Sequence, residues 1–309
     1  MLPVSRLEEK IMRRLCVVLS VVTAAFVPRA AEPCSLCQCG DPAFALMGSQ
    51  LFVPRTWHLG LSADRYAKDQ VAEENPGTRE KEEENRVTLS ASRTLGDRLT
   101  LVGRLPFADR TITTSSDHAS LSGMSDPELV AHYRLRALHP GTWLSASLGV
   151  RPGWGRHDAQ RDGVRAEQHL QPGTGAMGVE PGLSFSRVVG DAHPGSIFGS
   201  AMGRFNGRND AGYHYGNAVL ANLGYERRVG SRLNAILEAN FRHAAKDEPA
   251  PGDADPNTGG SMLYLSPRVL VKLDRTLFLR LGVQVPVVKD LYGDQDEKVN
   301  LFTGLTVRF

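Results

Sequence analysis

The chain has 309 residues and 36 Lys+Arg against 34 Asp+Glu, so its formal charge of +2 gives no electrostatic basis for binding nucleic acid. With 41% apolar and 23% charged residues it is not disordered by composition, and a mean hydropathy of -0.25 excludes a bundle of membrane-spanning helices. The 31 glycines and 18 prolines favour many short strands; one membrane class stays open, the β-barrel, whose alternating apolar residues escape hydropathy.

Met12-Arg13-Arg14 and the uncharged apolar run from Leu15 to Val27 read as the basic and apolar regions of an export signal within residues 1–31. Met12 is read as the start, because Glu8 and Glu9 do not suit a basic region. Small residues permit cleavage after Ala24, Ala25, Ala30 or Ala31, and Pro33 before Cys34 argues against lipidation.

Residues 32–54 are expected to form a Cys-rich periplasmic segment carrying Cys34, Cys37 and Cys39 in the string Cys-Ser-Leu-Cys-Gln-Cys-Gly-Asp-Pro. Three readings stay open. One is a Cys34–Cys37 or Cys34–Cys39 disulfide with one spare thiol. Another is a soft-metal site for Cu(I) or zinc, with His58 the nearest histidine in sequence. The third is thiol–disulfide exchange. Gln38 after the second cysteine disfavours covalent haem, which needs histidine there.

From residue 55 to 309 the chain alternates apolar and polar residues in twelve runs: Trp57–Ala63, Val87–Ala91, Leu99–Phe107, Leu129–Leu135, Leu144–Val150, Met177–Phe185, a Gly-rich run around Ile197–Phe205, Tyr213–Tyr225, Leu233–Phe241, Leu263–Leu273, Leu277–Val287 and Val299–Phe309. Short turns follow the even runs, at Gly96-Asp97, His139-Pro140-Gly141, Gly190 to Gly195, Gly230-Ser231 and Asp274-Arg275. Longer polar segments follow the odd ones: Lys68–Glu84, Thr113–Ser125, Gly155–Pro172, Asn206–Gly212, Asp247–Pro256 and Asp290–Glu297. Short periplasmic turns and long outer loops mark transmembrane barrels. The expected fold is therefore all-β, an antiparallel up-and-down transmembrane barrel of about twelve strands. A soluble barrel or sandwich shows the same alternation with its apolar face turned inward.

Tyr133, Phe185, Tyr213, Tyr225, Phe241 and Phe309 are expected on the lipid face near strand ends. The opposite face carries the lumen-lining candidates Arg86, Arg104, Glu128, His132, Arg134, Glu180, Glu226, Glu238, Arg242, Arg268, Arg280 and Arg308, and also Arg98 and Lys272. Arginine is in excess. Such a lining forms structural ion-pair ladders or a constriction that selects anionic solutes. The terminal Phe309 after alternating apolar residues resembles the recognition signal read by outer-membrane barrel-assembly machinery.

The stretches Cys34–Pro42, Ser125-Asp-Pro-Glu-Leu-Val-Ala-His-Tyr-Arg-Leu135, Gln171-Pro-Gly-Thr-Gly175 and Val283-Gln-Val-Pro-Val287 resemble a group of bacterial outer-membrane barrel proteins described as transporters. These are similar to the barrel family associated with meta-pathway phenol degradation. The resemblance implies a Gram-negative outer-membrane channel or transporter for a small solute, in contact with outer-membrane lipid. It carries over no functional residues, and the Cys-rich start departs from the phenol-pathway barrels. Alternatives are a metal-handling or redox-linked barrel using the cysteines, an outer-membrane hydrolase, and a filled structural barrel. An enzyme is not expected: His58, His132 and His214 all read as inward, and no Gly-x-Ser-x-Gly elbow occurs.

Overall fold

The computed structural model describes residues 56–71, 78–139, 141–190 and 195–309. The export signal and Cys34, Cys37 and Cys39 lie outside them. The elements are β1 (Trp57–Val71), β2 (Arg79–Leu95), β3 (Leu99–Thr113), β4 (His118–Met124), β5 (Glu128–His139), β6 (Thr142–Arg151), β7 (Gln160–Arg161), β8 (Val164–Arg165), a 3-10 turn at Gln168–Leu170, β9 (Gly178–Val189), β10 (Gly195–Asn206), β11 (Ala218–Val229), β12 (Leu233–Ala244), β13 (Gly260–Lys272), β14 (Leu277–Leu291), β15 (Gln295–Glu297) and β16 (Asn300–Arg308). All but the β7–β8 hairpin join one antiparallel sheet. Two staves are built from two pieces each, β4 with β5 and β15 with β16. The result is a closed barrel of 12 strands.

Closure is made by β1, which pairs β2 on one side and β16 and β15 on the other. At the short-turn end the Trp57 N–H donates to Phe309 O at 2.7 Å and the Phe309 N–H donates to Trp57 O at 3.0 Å. Each of the twelve staves thus pairs with a stave on either side, while the upper pieces β4 and β15 each pair on one side only, with β3 and β1.

The side chains are sorted inversely to a soluble protein. Leu61, Leu89, Leu129, Leu183, Leu223 and Leu237 are at least half exposed on the outer wall, while Glu82, Glu84, Glu238 and Arg242 are buried inside. A soluble barrel would put those leucines in its core, so the soluble alternative fails on this observation. Of the expected outer aromatics, Tyr133, Phe185, Tyr225, Phe241 and Phe309 are exposed there.

Tyr213 is different. The strand expected to begin with it starts at Ala218, and Tyr213 is 5% exposed in the preceding loop, buried among polar partners. The expected loop Lys68–Glu84 is also largely strand: β1 runs to Val71 and β2 begins at Arg79. Charged residues there occupy both faces, which hides the period of two. Their inner members pair, with Lys68 Nζ 3.1 Å from Glu82. Thr113–Ser125 likewise contains β4, which folds back on β3 through the turn 114–117.

The sorting predicts opposite outcomes at adjacent positions of β2. Leu89→Arg places a guanidinium in the apolar belt, at a cost of about 2–4 kcal/mol near a bilayer midplane, and should abolish the heat-modifiable folded band on gels. Thr88→Lys points into an interior cavity and should fold. Equal tolerance of both changes would mean that the two faces are exchanged.

Candidate functional site in the barrel interior

The interior is a set of ion-paired layers. Glu84 accepts from Arg86 Nε at 2.5 Å and Arg110 Nε at 2.9 Å. Glu180 accepts from Arg204 Nε at 2.6 Å, with Arg151 Nη1 at 4.0 Å on its other side. Arg104 Nη1 reaches Glu128 at 2.7 Å, Arg268 lies 3.2 Å from Glu238, and Arg242 lies 3.2 Å from Glu297. Charges this deeply buried persist only with opposite charges or hydrogen bonds in place. Two aromatic rings join the network. Arg86 lies over Tyr66 at 4.9 Å and Arg268 over Phe302 at 5.3 Å, and the two rings meet edge-on at 5.9 Å.

Each lumen-lining candidate has a definite place. Arg86, His132, Glu180, Glu226, Glu238, Arg242 and Arg268 are buried. Arg104, Glu128, Arg134, Arg280 and Arg308 are partly buried. Near the short-turn end Arg134 lies over Trp143 and Arg308 over Phe278, and Glu226 accepts from Asn234. Arg98 instead is exposed beside the β2–β3 turn, because the strand ends before it. His214 is also displaced from the lumen: it lies in a loop bridge to Arg208 and Glu248, with Nε2 2.9 Å from Asn206 O. Among the described residues no group of three or more His, Cys, Asp or Glu could hold a metal ion.

Two cavities follow one another along the interior. The first, about 80 Å³, is lined by Arg86, Arg104, Arg151, Arg204 and Arg280, by Asp64, Asp126, Glu128 and Glu180, and by the small residues Gly60, Ser62, Ser90 and Gly304 of β1, β2 and β16. The second, about 30 Å³, is lined by Arg110, Arg151, Arg204, Arg242 and Asp247. Arg151 and Arg204 line both, so these two side chains and the Glu180 between them separate the cavities. Neither arginine was among the candidates. Arg151 is the next inward position after the run Leu144–Val150. Arg204 continues the inward phase Phe198, Ser200, Met202 of the Gly-rich β10, where the pattern is weakest.

The second cavity lies beneath a cap of loops. Residues 152–177 fold over the long-loop end of the barrel and are pinned to the β4–β5 corner. Asp126 Oδ1 accepts from Gly155 N at 2.9 Å, and Oδ2 accepts from Thr174 N at 2.8 Å and Thr174 Oγ1 at 2.6 Å. Ser125 Oγ donates to Pro172 O at 2.7 Å. Arg110 donates to the carbonyls of His169 and Gln171 at 3.2 and 2.6 Å. Gly155 and Gly173 allow this close approach. A Cβ on Gly173 would stand 2.6 Å from the Gly155 backbone, and one on Gly155 would stand 2.7 Å from Ser125 and Asp126. The Ser125-Asp126-Pro127 and Gln171–Gly175 strings are therefore two halves of one latch.

The other loops tie into the cap. Tyr213 donates to Asp247 Oδ2 at 2.9 Å, so His169 Nε2, 3.0 Å from the same hydroxyl, is its donor. Asn209 Nδ2 donates to Gln168 Oε1 and Thr174 O. At the rim, bonds from Arg161 and Arg165 hold the carboxyls of Asp117 and Asp210 below their ordinary range. The cap crosses no strand, so the barrel should survive its release. Asp126→Ala removes three charge-assisted bonds, worth about 1.5–3 kcal/mol each before compensation. Cleavage by trypsin at Arg156, Arg161 and Arg165 should rise by about tenfold or more while the folded band persists. Unchanged cleavage would show that Asp126 does not hold the cap.

Solved structures with this architecture include an outer membrane channel from Pseudomonas putida F1, with a TM-score of 0.64 and 14% identity over 84% of this chain and 98% of that chain. The translocator domain of the autotransporter NalP from Neisseria meningitidis gives 0.53 and 12% over 86% and 92%. The transport unit of the autotransporter AIDA-I from Escherichia coli gives 0.51 and 11% over 89% and 96%. No family model matches the chain, and no curated protein matches its sequence. These likenesses show the fold, an outer-membrane type of β-barrel.

Proposed function

We propose that the chain is a narrow channel of the Gram-negative outer membrane that passes a small polar solute and prefers anions. The observation that carries this reading is the pair of cavities stacked along the barrel interior, in each of which arginines outnumber carboxylates. The outward leucine belt suits lipid, and the similar structures include an outer membrane channel. The short-turn end, with Phe309, is assigned to the periplasm, and the capped end to the exterior. The Arg151–Glu180–Arg204 cluster is the constriction, because a solute moving between the cavities must pass it. A solute carrying a carboxylate or phosphate exchanges its water there for guanidinium donors already in place.

Purified protein in planar bilayers tests this. The wild type should give small conductance steps and a reversal potential in a KCl gradient that reports chloride preference. Arg151→Ala and Arg204→Ala should each raise the conductance by about twofold and lower that preference. A folded, inserted wild type that never conducts would instead support a filled structural barrel.

A second proposal concerns residues 32–54. Strand β1 begins at the short-turn end, so the chain before it is assigned to the periplasm, where Cys34, Cys37 and Cys39 meet oxidants and soft metals. A disulfide staple predicts one S–S bond and one further thiol by mass spectrometry, with no metal. A metal role predicts about one equivalent of Cu(I) or zinc on the reduced protein, lost in the triple Cys→Ser variant. Metal retained by that variant would exclude the cluster as its site.

A further inference from the structure

The two ends of the barrel treat their exposed arginines differently. At the capped end most are matched: Arg161 with Asp117 at 2.6 Å, the partly exposed Arg165 with Asp210 at 2.8 Å, Arg79 with Asp294 at 3.0 Å and Arg65 with Glu83 at 2.6 Å, while Arg156 donates to Ser122 O at 2.9 Å. At the short-turn end Arg93, Arg98, Arg187, Arg227, Arg232 and Arg275 are all exposed, and none forms an ion pair among the described residues. The described carboxylates exposed there are Asp97, in the turn beside Arg98, and Asp274. Asp274 is engaged by its own turn, accepting from Thr276 N at 2.6 Å and Leu277 N at 2.8 Å. Those backbone bonds hold it ionised, below the ordinary aspartate range.

Three of these arginines occupy the lipid-facing phase of their strands, at the level of exposed aromatic rings. Arg93 follows Val87, Leu89 and Ala91 on the outer face of β2. It pairs across the ladder with Trp57, its guanidinium 5.0 Å from that ring. Arg187 follows Leu183 and Phe185 on β9, opposite Ile197, which faces Tyr225 on its other side. Arg227 follows Leu223 and Tyr225 on β11, opposite Gly195. A cation at the rim of an apolar belt, beside a Trp or Tyr, lies at headgroup depth, and its stem reaches along the wall while the guanidinium seeks phosphate. Guanidinium matches a phosphodiester bidentately.

We propose that Arg93, Arg187 and Arg227, backed by the turn arginines Arg98, Arg232 and Arg275, form a collar that binds anionic glycerophospholipid headgroups of the leaflet at the short-turn end. The proposal rests on reading the chain as a membrane barrel with that end at a phospholipid leaflet. Charge complementarity selects this occupant: the six arginines outnumber the two exposed carboxylates described at that end, are spread over β2, β9, β11 and the adjoining turns, and lie at the lipid boundary rather than in a pocket.

The full-length protein, folded into phosphatidylcholine vesicles containing a minor fraction of phosphatidylglycerol, tests it. Association of spin-labelled phosphatidylglycerol relative to spin-labelled phosphatidylcholine is the readout. The wild type should favour the anionic lipid by about threefold to fivefold at low salt, falling toward one at high salt. The combined Arg93→Gln, Arg187→Gln and Arg227→Gln variant should lose most of that preference, whereas Arg161→Gln with Arg165→Gln at the capped end should keep it. Should the triple variant not fold, Arg187→Gln alone should show a partial loss. Preference unchanged in these variants, or absent in the wild type, overturns the collar. Displacement of the labelled lipid by inorganic phosphate, but not by chloride at equal ionic strength, also overturns it in favour of a free-anion site. A wild type that does not insert even into neutral phosphatidylcholine overturns the membrane reading itself, a result distinct from inserting without lipid preference.

Discussion

The constraint on which the rest depends is that a backbone amide facing hydrocarbon has no water to bond. The sheet can satisfy its amides only by closing on itself. Here closure is made where the first and last strands meet, and the reciprocal bonds between Trp57 and Phe309 fasten the ladder at its end. Once the sheet closes, the pleat sends alternate side chains to lipid and to an enclosed interior. The outer set must be apolar. The inner set is then free to be polar, but a narrow interior strips its charges of water and forces them to find one another.

That second demand explains the interior. Glu84 and Glu180 each stand between two arginines, and Arg268 and Arg242 each find a glutamate. Pairing through long side chains fills space, so where the wall supplies Arg and Glu the barrel is packed. The wall of β1, β2 and β16 supplies Gly60, Ser62, Ser90 and Gly304 instead, and there a cavity remains. The space inside the barrel is thus set by where small residues replace charged ones, as much as by strand number.

Most of the barrel was legible in the sequence because lipid enforces period two with few exceptions. The number and order of the twelve staves needed only that rule, and turn residues sorted the short connections from the long. It failed where the enforcing solvent changes. Above the apolar belt both faces of Lys68–Glu84 are charged, so the ladder continues with no hydrophobic mark. Tyr213 continued the alternating phase by coincidence; its hydroxyl is held by Asp247 in the cap. The latch was half legible. Ser125-Asp126-Pro127 and Gln171–Gly175 were visible as motifs, but their meeting depends on contacts across about 50 residues of chain, which no local period encodes.

The same closed barrel is found among channels and protein translocators, so the fold alone does not choose the cargo. The choice must come from what stands in the barrel, and here two features limit it. The Arg151–Glu180–Arg204 cluster crosses the interior between two small cavities of about 80 and 30 Å³. The cap above is fixed by a buried carboxylate with three donors, and by Leu170 and Ala166 packed on Ile112, Ala119 and Leu121 of β3 and β4. Passage of a folded or extended polypeptide would require every layer to break at once, exposing carboxylates and guanidiniums without partners. For the proposed channel a small anion requires much less: arginines outnumber carboxylates in both cavities, so an anion can lie against a guanidinium while each buried carboxylate keeps its own partner.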